Sequence, residues 1–250
     1  QALPILLLYC FEPSVMDYDD SDVRHWRFVY QSLMDMQAKL QELNKQLVIC
    51  HDEALTVFVH LAQNYSILTI FSHQETGNKR TFERDLAIQR FCLENGIEWK
   101  EYQQNGVIRK LRSRQYWDQL WKAKMLEEPK LIEISALNLF RIDKTIYQSI
   151  KGTALSPEIM TPHKAFQPGG ESYAMKYLES FLEERYFNYS RYISKPALSR
   201  KGCSRLSPYL AYGNISMRMV YRATLKCYET STHKRALSNF ISRLHWHCHF

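Results

Sequence analysis

The spacing of apolar residues changes character once along this chain, and that change limits what it can fold into. In the first 105 residues, short apolar runs alternate with amphipathic stretches. Pro4–Tyr9 is a continuous apolar run closed by Glu12-Pro13, the pattern of a strand buried on both faces. Trp26, Val29, Tyr30, Leu33, Met36, Leu40 and Leu43 then recur at helical spacing over Val23–Leu43. Leu47–Cys50, Ile67–Phe71 and Ile97–Tyr102 read as three more strands. Ala54–Ala62 and Thr81–Glu94 read as helices, the second stopped by Asn95-Gly96. Strands alternating with helices imply βαβ units and a parallel sheet. From Glu171 to Phe250 every periodic signal is helical.

The fold expected is therefore α/β followed by all-α. Between the two parts, Asn105–Asp118 carries Arg109, Lys110, Arg112 and Arg114 without helical apolar spacing and reads as a basic loop, followed by a helix over Tyr116–Glu127. Pro129, Pro157, Pro162 and Pro168 mark the rest as a connector. The division expected is an α/β parallel-sheet domain over 1–105, a connector over 106–168 and a helical domain over 169–250.

Charge follows the same division. The chain carries a net charge of +7, and residues 171–250 hold 13 Lys+Arg against 5 Asp+Glu. A basic excess confined to one segment is the footprint of phosphate-backbone binding, and it also suits an acidic protein partner. The six cysteines have no CxxC spacing and read as reduced thiols, so the expected compartment is the cytoplasm. The run Ala2–Tyr9 is too short to span a bilayer, and no membrane partner is expected.

One string is denser in chemistry than any other: Gly202-Cys203-Ser204-Arg205-Leu206-Ser207-Pro208-Tyr209-Leu210-Ala211-Tyr212-Gly213-Asn214-Ile215-Ser216. Hydroxyls and free backbone N–H groups at a helix start suit a phosphate, and Arg205 adds a fixed positive charge. The same residue types also make an ordinary N-cap at Ser204 or Ser207 with nothing bound. Further on, Trp246 follows Arg243 and Leu244 on a helical stretch that runs to Phe250, where it could equally be a core residue. His245 and His249 share a face at i, i+4, but no third ligand accompanies them, so no metal is expected.

The string resembles the flavin-phosphate segment of the photolyase/cryptochrome family. Two other segments add to the resemblance: Phe166–Ala174 with the Tyr-rich run to Tyr192, and Asn239–Phe250. The likeness implies a Rossmann-like antenna domain followed by part of a helical FAD-binding domain. In that family an earlier strand precedes Pro4 and the helical domain continues beyond Phe250, so the resemblance implies a fragment. It implies FAD as cofactor, with Cys203, Ser204, Arg205, Leu206 and Ser207 at the pyrophosphate and Tyr192, or Tyr189, near the flavin. Cys203 stands where many members have Thr, and a thiol is the poorer donor. Trp246 would line the cavity for a flipped pyrimidine dimer, and His249 stands where many dimer-splitting members have Glu. The segments Gln74–Asn78 and Arg84-Asp85 resemble the half that holds a second, antenna chromophore of unknown identity. The function implied is light-driven repair of pyrimidine dimers by a DNA photolyase-type lyase, a monomer that meets damaged DNA through the basic face of residues 171–250. The alternative is a cryptochrome-like blue-light sensor without repair. A nucleotide-binding α/β protein of the electron-transfer-flavoprotein type is disfavoured by the Cys203–Ser216 string.

Overall fold

The computed structural model describes residues 3–130 and 132–249. These fall into two compact units, one drawn from Gln1–Tyr102 and Ile132–Pro168, the other from Gln103–Leu131 and Gly169–Phe250.

The first unit is α/β. Its strands and longer helices in order are β1 (Leu8–Cys10), α1 (Val23–Glu42), β2 (Val48–Cys50), α2 (Ala54–Asn64), β3 (Thr69–His73), α3 (Lys79–Glu94) and β4 (Glu98–Tyr102), with short helices at Pro13–Met16, Lys144–Ile150 and Pro157–Met160. The strands form two parallel pairs, β1 with β2 and β3 with β4. In the first pair Leu8, Tyr9 and Cys10 face Val48, Ile49 and Cys50. The apolar spacing of α1 buries Val29, Leu33 and Leu40 in a cluster with Phe11 and Leu47. On α2, Val57 and Leu61 bury against Val48 and Cys50. On α3, Ile88, Phe91 and Cys92 bury against Ala54 and Ile97. Asp22 caps α1 and Asn78 caps α3, each by accepting an N–H of the first turn. The Asn78 cap starts α3 at Lys79, two residues before the start that periodicity suggests.

Two expectations change. The strand expected over Pro4–Tyr9 is confined to Leu8–Cys10, because Ile5 pairs instead with a distant segment: its N–H donates to Asn138 O at 2.9 Å, and its carbonyl accepts from Phe140 N at 2.7 Å. The connector expected over 106–168 is divided between the units. Its later part belongs with the sheet, since Ile142 and Ile150 bury in the cluster around Val48 and Cys50, and His51 N–H donates to Lys151 O at 2.8 Å. Its earlier part belongs to the helical unit.

That second unit contains α4 (Trp117–Leu126), α5 (Glu171–Glu183), α6 (Tyr189–Tyr192), α7 (Pro196–Gly202), α8 (Ser207–Ala211), α9 (Met217–Thr230) and α10 (Lys234–His247). Among its described residues there is no strand. Trp117, Trp121 and Met125 lie on one face of α4 and are buried, with α4 packed on α9. Phe181 of α5, Tyr189 of α6 and Phe240 of α10 meet at ring separations of 4.6–5.6 Å and make the centre of this core.

Candidate functional site

The loop Cys203–Leu206 joins α7 to α8, and four features fix its shape. Leu206 is buried to 1% exposure and Tyr209 to 0%, so the loop is pinned at its far end. At the near end Tyr192 lies so close to Gly202 that a Cβ there would stand 2.5 Å from Tyr192 Cδ2. Arg205 sits at φ 59°, a left-handed conformation disfavoured for a residue with a Cβ. The fourth is Arg185, just after α5. Its guanidinium donates to the carbonyl of Cys203 and, at 3.5 Å, to that of Ser204. It also reaches Tyr177 O at 2.6 Å and Ser180 Oγ at 3.0 Å, and it lies over the rings of Tyr177 and Phe181. In a trans peptide the C=O and the following N–H point opposite ways. Turning the Cys203 and Ser204 carbonyls toward Arg185 therefore turns the N–H groups of Ser204 and Arg205 away from it.

The N-cap reading of the two serines is not what the structure has. Leu206 occupies the cap position of α8, and no side chain caps the helix. Ser204 Oγ instead accepts Leu206 N–H within the loop at 3.4 Å, while Ser207 is exposed in the first turn. Of the two candidate tyrosines, Tyr189 is a core residue, 4% exposed, and burial raises its phenol above the ordinary range. Tyr192 is half-buried and stands beside the loop. Burial raises the Cys203 thiol as well, which keeps it protonated.

A second group of residues gathers at the end of α10. Trp246 is 49% exposed, with the Arg243 guanidinium 4.5 Å from its ring centre, so it is no core tryptophan. His249 Nε2 lies 2.9 Å from Arg114 Nη1, and its ring packs edge-on against Trp117 at 5.2 Å. An arginine can only donate, so in this contact Nε2 of His249 is the acceptor. His245 packs on Trp117 and Trp121 at 4.5 and 4.8 Å and pairs with Asp118 at 3.1 Å. A hydrogen bond from Lys122, with His245 beside it, holds the Asp118 carboxyl below its ordinary value. Among the described residues no group of three or more His, Cys, Asp or Glu could hold a metal. Phe250 lies outside the described residues.

Sequence reasoning missed Arg185, Arg114 and Trp117. The stripe of Trp117, Trp121 and Met125 at i, i+4, i+8 was a signal available for the α4 face. Nothing local marks Arg185, whose partners in the loop are backbone carbonyls.

In the α/β unit, a cavity of about 530 Å³ is lined by Glu12, Ser14, Glu53, Arg80, Glu83 and Arg84, among others. Arg84 is a hub: it reaches Glu12 at 2.9 Å, Glu75 at 3.2 Å and Asp85 at 2.8 Å. Glu12 is 5% exposed and its Oε2 has no hydrogen-bond partner. Burial raises the Glu12 carboxyl above its ordinary value, against the pull of Arg84.

The chain was compared with known proteins. A family model described as "DNA photolyase" matches residues 1–113. Cryptochrome-1 of Spalax judaei is 27% identical over 87% of this chain, and Cryptochrome-2 of Gallus gallus is 23% identical over 91%. A bacterial class III photolyase from Agrobacterium tumefaciens and a Synechocystis cryptochrome each superpose with a TM-score of 0.74 at 18% identity, over 98% of this chain. The chain is thus similar in its first 113 residues to a DNA photolyase model, and over most of its length to cryptochromes in sequence and to photolyases and cryptochromes in fold. It spans about 40% of the length of its curated cryptochrome relatives and 52–54% of those two solved chains. Photolyase/cryptochrome proteins bind FAD, and photolyases act on DNA. An archaeal photolyase from Sulfolobus tokodaii, solved with two FAD molecules, has the same fold at a TM-score of 0.67 and 18% identity. Among the described residues no helix is long and apolar enough to cross a membrane.

Proposed function

We propose that this chain is part of a flavoprotein that repairs pyrimidine dimers in DNA under light. The observation that carries the reading is the Arg185-braced loop. Its residues fit a pyrophosphate: the Ser204 and Arg205 N–H groups turned away from Arg185, the exposed Ser207 hydroxyl and the Arg205 guanidinium are the donors a phosphate diester takes. Cys203, Ser204, Arg205, Leu206 and Ser207 would hold that part of FAD, with Tyr192 packed beside them. When bound, reduced FAD supplies the photoexcited electron that splits the dimer.

The protein's own share in this reading is positional. Arg185 fixes the loop before any ligand arrives, so ordering it adds no cost on binding. Trp246 offers an exposed aromatic face for stacking on an unstacked base. His249, held against Arg114 and Trp117, stands where many relatives of the resembled family have a carboxylate. The basic excess of residues 171–250 supplies the contacts to DNA phosphates. The whole protein is a monomer in the cytoplasm in this reading. A second chromophore would use the cavity around Glu12 and Arg84, whose buried, unpartnered carboxylate oxygen calls for a donor from a ligand. The alternative is a blue-light sensor that binds flavin and signals without repair; the curated relatives named as cryptochromes favour it.

Illumination of the flavin-loaded protein with dimer-containing single-stranded DNA separates the two. Restored bases support repair. Flavin photoreduction without restoration supports the sensor. A protein that binds neither flavin nor DNA removes both.

A further inference from the structure

We propose that Cys10 and Cys50 form a redox-active dithiol, which a hydroperoxide converts into a disulfide between β1 and β2. The two are register partners on neighbouring parallel strands, so their side chains project from the same face of the pair. Neighbouring strands lie about 4.8 Å apart, within the Cα separation of roughly 4.4–6.8 Å that a disulfide spans. Cys10 packs against the apolar cluster that contains buried Cys50. No spacing rule flags this pair, because 40 residues of helix and turn separate them; only the sheet brings them together.

The pair is divided in its acid–base character. The neighbouring Cys10 lowers the Cys50 thiol, while Cys50 and burial raise Cys10. Of the two, Cys50 is the easier to ionise and Cys10 the one that keeps its proton. The thiolate attacks the outer oxygen of the hydroperoxide. The O–O bond breaks, the sulfur is oxidised to a sulfenic acid, and an alkoxide (or hydroxide) leaves and takes a proton from solvent. The neighbouring thiol sulfur then attacks the sulfenic sulfur. The S–O bond breaks, its hydroxide leaves with the thiol proton as water, and the disulfide closes. Two thiols supply the two electrons that reduce one hydroperoxide.

The pair also sits where a cross-link has a consequence. Cys10 ends β1, and Glu12 and Ser14 beyond it line the cavity; Cys50 ends β2, and Glu53 beyond it lines the same cavity. Phe11 N–H already donates to Cys50 O at 2.8 Å, so the two strand ends are tied at the backbone as well. The reading of all six cysteines as reduced thiols would then describe only one of two states of this pair.

The test uses the whole chain. It is treated with hydrogen peroxide, blocked with an alkylating reagent, digested without reductant and read by mass spectrometry. The expected result is a peptide pair joining Cys10 to Cys50, loss of two of the six thiols, and full recovery with dithiothreitol. Cys92→Ser should leave the cross-link in place, and Cys10→Ser and Cys50→Ser should each abolish it. Oxidation of Cys203 or Cys227 with Cys10 and Cys50 still free overturns the proposal. So does a Cys10–Cys92 link, which the packing of Cys10 against the α3 cluster makes the competing product. Should a serine variant fail to fold, the cross-linked peptide from the parent chain decides by itself.

Discussion

Arg84→Met should be among the most damaging single changes in the α/β unit. Methionine keeps most of the stem and removes the charge. The arginine side chain is 28% exposed, while Glu12 and Asp85 are only 6% and 10% exposed, so two buried carboxylates lose their counter-ion at once. Stranding a buried charge costs about 3–5 kcal/mol. Protonation caps the cost for one carboxylate at roughly 3–4 kcal/mol at pH 7, because the group can take up a proton instead. Glu75, 20% exposed, stays largely solvated and adds little. A loss of about 3–5 kcal/mol at pH 7 follows. The pH dependence has a definite sign. Burial holds the Glu12 and Asp85 carboxyls above their ordinary values of 4.5 and 3.8. The folded chain therefore binds these protons more tightly than the unfolded chain, and their ionisation works against folding as pH rises through and beyond the ordinary values. Without Arg84 that effect grows, so the deficit relative to the parent should be small near pH 4 and should widen steadily to pH 7. Hydrogen exchange of α3 amides along a urea series, at both pH values, measures it. A deficit below about 1 kcal/mol at pH 7, or one independent of pH, refutes the claim that these carboxylates are desolvated.

Three further outcomes follow from the helical unit. Gly202→Ala places a Cβ 2.5 Å from the Tyr192 ring, so it should cost about 1–3 kcal/mol by overpacking and lower FAD retention with it; unchanged denaturation and flavin content would show the contact to be slack. Arg205→Gly relieves the left-handed backbone and should raise stability by about 0.5–1 kcal/mol, whereas Arg205→Glu should sharply reduce the flavin that copurifies; a full yellow complement in the Glu variant would move the phosphate site elsewhere. Trp246→Ala should reduce the preference for damaged over intact DNA by about 1–3 kcal/mol without changing the slope of affinity against salt, read by titration at several ionic strengths; a changed slope with unchanged preference would place Trp246 outside the lesion contact.

The elements that were legible in the sequence are those whose signal is local. α1, α3 and the four strands follow from apolar residues at fixed period, and the caps Asp22 and Asn78 sharpen the limits of the two helices. What escaped depends on partners far along the chain. Ile5 leaves the first strand because Asn138 and Phe140 take its backbone bonds. The connector divides because two of its stretches carry apolar stripes addressed to different cores: Trp117, Trp121 and Met125 in the helical unit, Ile142 and Ile150 in the other. Arg84 reads as a surface residue of a charged helix until Glu12, 72 residues away, is seen against it.

The same distinction explains why the Cys203–Ser207 string is chemically ambiguous when read alone. Its hydroxyls could cap a helix, and a five-residue helix such as α8 contributes little dipole to attract an anion. The bias toward an anion comes from outside the string. A lysine in place of Arg185 could satisfy one carbonyl as a point charge; the planar fork of arginine reaches both the Cys203 and Ser204 carbonyls while stacking on Tyr177 and Phe181. Two carbonyls held on one side put two amide donors on the other. A guanidinium that pairs with neutral oxygens here, rather than with a carboxylate, also leaves its positive charge uncancelled behind the loop. The donor-rich face is thus a tertiary property, built by a residue 18 positions upstream of Cys203.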